Sequence, residues 1–494
     1  MGQFPEHLLR TVWERQRFAS SHLRTPDGQR ITILSPGTFN SDGGPDFLNA
    51  RVRIGNVTYR GDVELHTDAA EWKAHNHDRD PHYNRVILHV VMTADAVAPP
   101  THTVSHRPVP LLVLHPYLDE QVRSAWMTDD KNEPDERIKC YGLNAEVPAE
   151  LISRWISSLA VERIELKVRR LEERLKQLVD ERRSVVREPY PRYYGNPDEI
   201  PPPHKEYARK DFAERQLWEQ LLYEGIMEGM GYSKNREPFL ALAQSMSLRI
   251  LRQHPLSDTT TMMALLFGAA GLLPSTRVVK EKEGRSYILP LRRRWKELQR
   301  SFKSRRLNEG DWLFFRLRPT NFPTARLATI CFLLPSLFDE SGFRRLIGIL
   351  KNEVLSSRER LNMLQAMFHF EPDSYWSRHY HFKSIAGKSG IRLGTARVNE
   401  IIVNSIIPIV LLYARVFKDQ RARSNARTIL SVLPPLEENS ITRLMNAQLL
   451  ERKMTMSSAL KQQGTIHLFK FYCSPIRCSE CKIGQQVFAA ITDK

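Results

Sequence analysis

Apolar and polar residues alternate most clearly in the first quarter of the chain. QRITIL (Gln29–Leu34), FLNARVRI (Phe47–Ile54) and VTYRGDVELH (Val57–His66) carry the two-residue period of strands, and Gly55-Asn56 supplies a hairpin turn between the last two. Residues from Pro5 to Phe18 read as a short amphipathic helix carrying Glu14, and Asp68 to His77 as a second helix. RVILHVV (Arg85–Val91) is a continuous apolar run, as in a strand buried on both faces, and LLVLHP (Leu111–Pro116) adds another strand. The order is helix, three strands, helix, strand, which predicts an α/β domain with a mixed sheet and flanking helices over residues 1–125.

Beyond Pro148 the period becomes helical. Leu and Ile recur at helical spacing through Arg183 amid dense Glu/Arg pairing, which predicts a long, largely exposed helix with a solvated arginine face. It closes a connecting segment over 126–187, and a proline-rich linker follows over 188–208. The stretch 209–464 reads as a mainly α-helical domain broken by Pro and Gly, and 465–494 as a Cys-rich C-terminal segment.

Charge narrows the class of partner. The 494 residues are 41% hydrophobic and 26% charged, as in a folded protein, but the formal net charge is +17. Such a surface favours polyanions, nucleic acid first among them. The N-terminus lacks an apolar run of signal-peptide length and no later stretch is an uninterrupted membrane-length apolar run, so a soluble cytoplasmic protein without a membrane partner is expected. Five cysteines in so long a chain argue for reduced thiols or metal ligands rather than a disulfide scaffold.

Strand parity brings candidate chemistry together. In VTYRGDVELH, Val57, Tyr59, Val63 and Leu65 fall on one face, expected in the core, and Arg60, Asp62, Glu64 and His66 on the other. Asp46, in GGPDF, opens the preceding strand. An Asp, a hairpin, and a Glu two residues before a base-capable side chain resemble the PD-(D/E)xK nuclease superfamily, and the element order agrees with its restriction-endonuclease-like core. The resemblance implies Mg²⁺ or Mn²⁺ held by Asp46 and Glu64, with Glu14 a further acid, for hydrolysis of phosphodiester bonds in DNA or RNA. The sequence departs at the last position, where His66 stands in place of Lys. Either His66 is the base or a metal ligand, or Lys73 on the next helix replaces the charge. The alternatives are a non-catalytic nucleic-acid-binding or scaffold protein that keeps the fold, and a Glu/His centre. That centre would bind Zn²⁺, Mn²⁺ or Fe²⁺ through Glu64, His66, His75 or His77, and His89, as in a cupin-like barrel. A histidine inside VILHVV is more often a hydrogen-bonded core residue.

Cys473-x4-Cys478-x2-Cys481 places three thiols on one short loop, and Cys140 is the better fourth because Cys331 lies in the apolar run ATICFLLP. One distant cysteine closing such a triplet is similar to the iron–sulfur staple of some nucleases, and Zn²⁺ would satisfy the same ligands. In RPTNFPTARLA (Arg318–Ala328), Arg318, Asn321 and Arg326 either meet nucleic-acid phosphates, as Arg60 would, or build an interhelical turn. GPDFLNARVRIG, GDVELH, EWKAHNHDRDPHYNRVILHVV, RPTNFPTARLA and YCSPIRCSECKIG, in that order, resemble the bacterial domain of unknown function numbered 2851. That likeness implies a bacterial, cytoplasmic protein and brings no activity with it.

Overall fold

The computed structural model describes residues 6–14, 16–40, 44–94, 100–119, 138–186, 207–232, 234–300, 302, 304–314, 317–382, 384–385, 390–450 and 453–492. The proline-rich stretch Glu188–Lys205 therefore lies outside the described residues. The chain forms two compact units, residues 1–136 and 137–494.

The first unit is built on a mixed sheet. Helix α1 (Glu6–Glu14) precedes β1 (Ile31–Ser35), the short β2 (Thr38–Phe39), β3 (Phe47–Ile54), β4 (Val57–Asp68), α2 (Glu71–Ala74), β5 (Val86–Thr93) and β6 (Leu111–Val113). The strand order is β1-β3-β4-β5-β6, with β2 also paired to β3. β1, β3 and β4 are antiparallel neighbours, whereas β4, β5 and β6 run parallel. Parity holds at the centre of β4: Val63 and Leu65 join Leu9, Val12 and Trp13 of α1 and Leu88 and Val90 of β5 in one apolar layer. It does not carry Val57 and Tyr59 into the core. Both are exposed, at 53% and 38%, because only the inner end of the hairpin lies under the helix.

The second helix is shorter than its sequence predicts. Only Glu71–Ala74 is helical, because Asn76 takes a left-handed φ of 61° and turns the chain back toward the sheet. Gly61 is required for a different reason. A Cβ there would stand 2.3 Å from the Arg85 carbonyl oxygen and 2.4 Å from Ile87 Cγ2, so β5 can start beside β4 only at a glycine. Gly61→Ala is expected to destabilise this unit by about 3 kcal/mol, read as a drop in its denaturant midpoint; an unchanged midpoint would contradict the close approach.

The second unit is helical and begins with α3 (Ala149–Val186), 38 residues long. This helix is not largely exposed. Ile152, Ile156, Leu159, Ala160, Ile164, Val168, Leu171, Leu175 and Leu178 form a buried stripe along it. Its cations are also less solvated than the charge pairing predicts. Arg174 pairs with the buried Glu224, while Lys167 donates to Asn404 Oδ1 at 2.6 Å and Gln463 Oε1 at 2.9 Å in a cavity of about 710 Å³ shared with Arg163 and Arg236. The helical stretch Thr395–Phe417 is long and apolar enough to cross a membrane by length and composition, and 61% of its most apolar window is buried inside this unit.

Candidate metal centre

The face of β4 opposite the apolar layer carries Asp62, Glu64 and His66, all buried. Parallel pairing sets Glu64 beside His89 of β5, so the imidazole inside VILHVV shares the face of Glu64 and His66. The reversal after α2 adds His75 and His77. His66 Nδ1 lies 2.9 Å from His89 Nε2, and His66 Nε2 lies 3.1 Å from His75 Nδ1. Glu64 Oε1 stands 3.3 Å from His77 Nε2 and 3.6 Å from His66 Nε2. One ligand nitrogen from each of His66, His75 and His77 lies within 4.8 Å of the other two. His75 is exposed, which gives the cluster one open side.

The surroundings hold these rings in place. His77 stacks on Tyr83 with centroids 3.7 Å apart, and Trp72 meets His77 and His89 while its indole N–H donates to the His102 carbonyl. Asp46 is the hinge between β3 and the cluster: its backbone N–H donates to Glu64 Oε2 at 3.0 Å, and its Oδ2 accepts from the Leu65 N–H at 3.1 Å. Glu64 thus has one oxygen fixed and the other aimed at the histidines.

Burial in this wall of aromatic and aliphatic groups, with the other imidazoles close by, pushes the His66 pKa down to about 2 and that of His89 down to about 3. Burial also lowers His77. These rings are neutral at physiological pH, so each keeps one ring lone pair. If His66 donates from Nδ1 to His89, its Nε2 lone pair points at His75 and Glu64. His77 Nε2 is buried without a hydrogen bond of good geometry although Glu64 is close by. Imidazoles and one carboxylate suit Zn²⁺, Mn²⁺ or Fe²⁺ better than Mg²⁺.

A family model described as "Protein of unknown function (DUF2851)" matches residues 6–195 and 206–440. The chain belongs to that family. No curated protein and no solved structure matches it.

In this DUF2851 chain the other sequence candidates are scattered. Lys73 is exposed on α2, and Glu14 is exposed near the end of α1. Arg60 is exposed on the outer half of β4. Arg326 is 3% exposed and donates to Tyr232 Oη and Asn321 Oδ1, both at 2.6 Å, so Asn321 and Arg326 tie the interhelical turn together, while Arg318 is exposed beside it. Sequence reasoning passed over Trp72, Tyr83 and Thr101, which wall the histidines. The spacing of Trp72 and Tyr83 on either side of His77 was the available signal.

The cysteines lie in the second unit of the DUF2851 chain. Cys140 and Cys481 are buried in one apolar cluster with Ile138, Val147 and Ile152, and Cys473 packs against it. Burial and the neighbouring Cys481 and Cys478 push the Cys140 thiol up to about 11, and burial followed by Cys140 raises that of Cys473. Among the described residues the ligand sets that close to within 4.8 Å are the histidine triad and Glu281–Glu283–His379, and the four cysteines do not form such a set. Cys331 is fully buried in the helical core.

Proposed function

We propose that the first unit is a metal-dependent hydrolase of phosphodiester bonds in nucleic acid, its ion held by His66, His75, His77 and Glu64. The observation that carries this reading is the convergence of three imidazole nitrogens within 4.8 Å beside a carboxylate oxygen. His89, bonded to His66 Nδ1, then acts from behind by fixing the tautomer and ring orientation of a ligand. A bound ion would supply a Lewis acid and a water acidic enough to attack at neutral pH. Asp46 would position Glu64 through its backbone N–H, in contrast to the direct ligation implied by the PD-(D/E)xK pattern. The mixed sheet, antiparallel through β3–β4 and parallel through β4–β5, supports a nuclease-like core. The net charge of +17 supports a polyanionic substrate.

The test is cleavage of labelled single- and double-stranded DNA and RNA with Mn²⁺ or Zn²⁺ added. EDTA should stop the reaction, and Glu64→Gln should lower the rate by about 100-fold or more, as expected for a group acting on the reacting centre. Cleavage that survives both treatments removes the assignment. His66 in the place of the expected Lys favours one second reading, a nucleic-acid-binding protein without catalysis. Under that reading binding is retained, no cleavage occurs with any divalent ion, and affinity falls steeply between 50 and 200 mM salt.

A further inference from the structure

We propose that Cys140, Cys473, Cys478 and Cys481 share one thiolate-bound metal centre that clasps the start of the helical unit to its end. Cys140, Cys473 and Cys481 meet in one apolar cluster, with Cys478 close enough to act electrostatically on Cys140 and Cys473, although Cys140 stands more than 300 positions before the others.

The clasp has supporting contacts on both sides. The loop bearing Cys140 is tied to Gln448 and Lys453: the Ile138 N–H donates to Gln448 Oε1 at 2.8 Å, Asn144 Nδ2 donates to the Gln448 carbonyl at 2.9 Å, and Lys453 Nζ donates to the Asn144 and Val147 carbonyls. Gly464 brings the next helix, Ala459–Leu468, against α3, since a Cβ there would stand 1.9 Å from the Ile156 carbonyl oxygen. Trp155 of α3 meets Tyr472 with ring centroids 5.6 Å apart. Gly484 does the same for the last helix, Lys482–Thr492: a Cβ would stand 2.3 Å from the Cys478 carbonyl oxygen, so the helix start is held against the cysteine loop. A metal-free cluster of small apolar side chains would not need two cysteines at the half-exposed positions 473 and 478.

The chemistry follows from the donor set. Four thiolates select soft or borderline ions: a single Zn²⁺, or iron in an iron–sulfur cluster. Sulfurs around one Zn²⁺ stand about 4 Å apart, whereas a cluster spreads its thiolates over separate iron atoms. The four cysteines are not among the ligand sets that close to within 4.8 Å, so the wider thiolate spacing of a cluster fits them with less rearrangement than a single ion does. In either case each ligand thiol loses its proton on binding, and that proton goes to solvent.

The experiment uses the full chain in a His66→Ala background, so that metal at the histidine site does not enter the count. Protein purified without oxygen is analysed for zinc, iron and acid-labile sulfide and by visible absorption. One zinc per chain and no colour, or iron with matching sulfide and a brown absorbance, each establishes the centre and says which kind it is. Cys140→Ser and, separately, Cys478→Ser, which replaces a less buried thiol, should each lower metal content at least five-fold and speed proteolytic release of the segment after Lys453; Cys331→Ser should leave the metal content unchanged. Anaerobically purified protein that holds neither zinc nor iron and whose four thiols all react without denaturation or chelator overturns the proposal, as does wild-type metal content in both Cys140→Ser and Cys478→Ser.

Discussion

Lowering the pH from 7 to 5 is expected to unfold the first unit. His66 and His89 are held neutral by burial, with folded pKa values near 2 and 3 against an ordinary 6.5. A histidine whose pKa is depressed binds its proton more readily in the unfolded chain. Its contribution is therefore fully favourable above pH 6.5 and is lost as pH falls from 6.5 toward the folded value. Each such ring costs about 1.4 kcal/mol per pH unit in that window, so the two together remove roughly 4 kcal/mol by pH 5. That is most of the margin of a small domain. His77, lowered by the same burial, acts in the same direction. Hydrogen exchange of peptides covering β4 and β5 should show protection lost between pH 6.5 and 5 after correction for intrinsic rates, and Zn²⁺ or Mn²⁺ should delay the loss. Protection that stays constant to pH 5 would mean that the rings are already charged, and the neutral, ligand-ready cluster would be wrong.

The second large effect separates a ligand from the residue that orients it. His75 is exposed, so His75→Ala removes a donor without opening a hole in the core. It should weaken metal binding by about 100-fold or more while leaving the thermal midpoint of the metal-free protein nearly unchanged, since substitutions at exposed positions seldom matter for stability. His89 is fully buried and its ring nitrogen is hydrogen-bonded to His66. His89→Ala should weaken binding by about 10- to 100-fold and also lower the metal-free midpoint, because it leaves a cavity and an unpaired His66 nitrogen. Titration calorimetry with Mn²⁺ and thermal scans in EDTA give both quantities. Equal losses of stability in the two variants, with unchanged affinity, would make the cluster a structural core and nothing more.

Much of this arrangement was legible in the residues. The period-two pattern marked β3 at Phe47–Ile54 to the residue, because one face of it is buried and the other exposed and a one-residue slip would exchange them. The continuous apolar run before and after His89 marked a strand covered on both sides. Family membership was legible too, since long motifs persist in order along the chain.

Which groups meet was settled only in three dimensions. Asp46 and Glu64 are neighbours, yet Asp46 turns one carboxylate oxygen to the Leu65 N–H and the other to Arg10. Parallel pairing of β4 with β5 chose His89 as the partner of His66, and a sequence says nothing of the register between strands that a loop separates. The left-handed turn at Asn76 cut short a helix that propensity would continue, and so brought His75 and His77 back over the sheet. Cys140 came into one cluster with Cys473 and Cys481 for the same reason: contacts between residues hundreds of positions apart depend on how whole helices pack, which local periodicity does not encode. Sequence by itself determined the strands, the turn and the kinds of side chain present; the tertiary structure decided which of them face one another, because side-chain convergence is a property of register and packing, not of spacing along the chain.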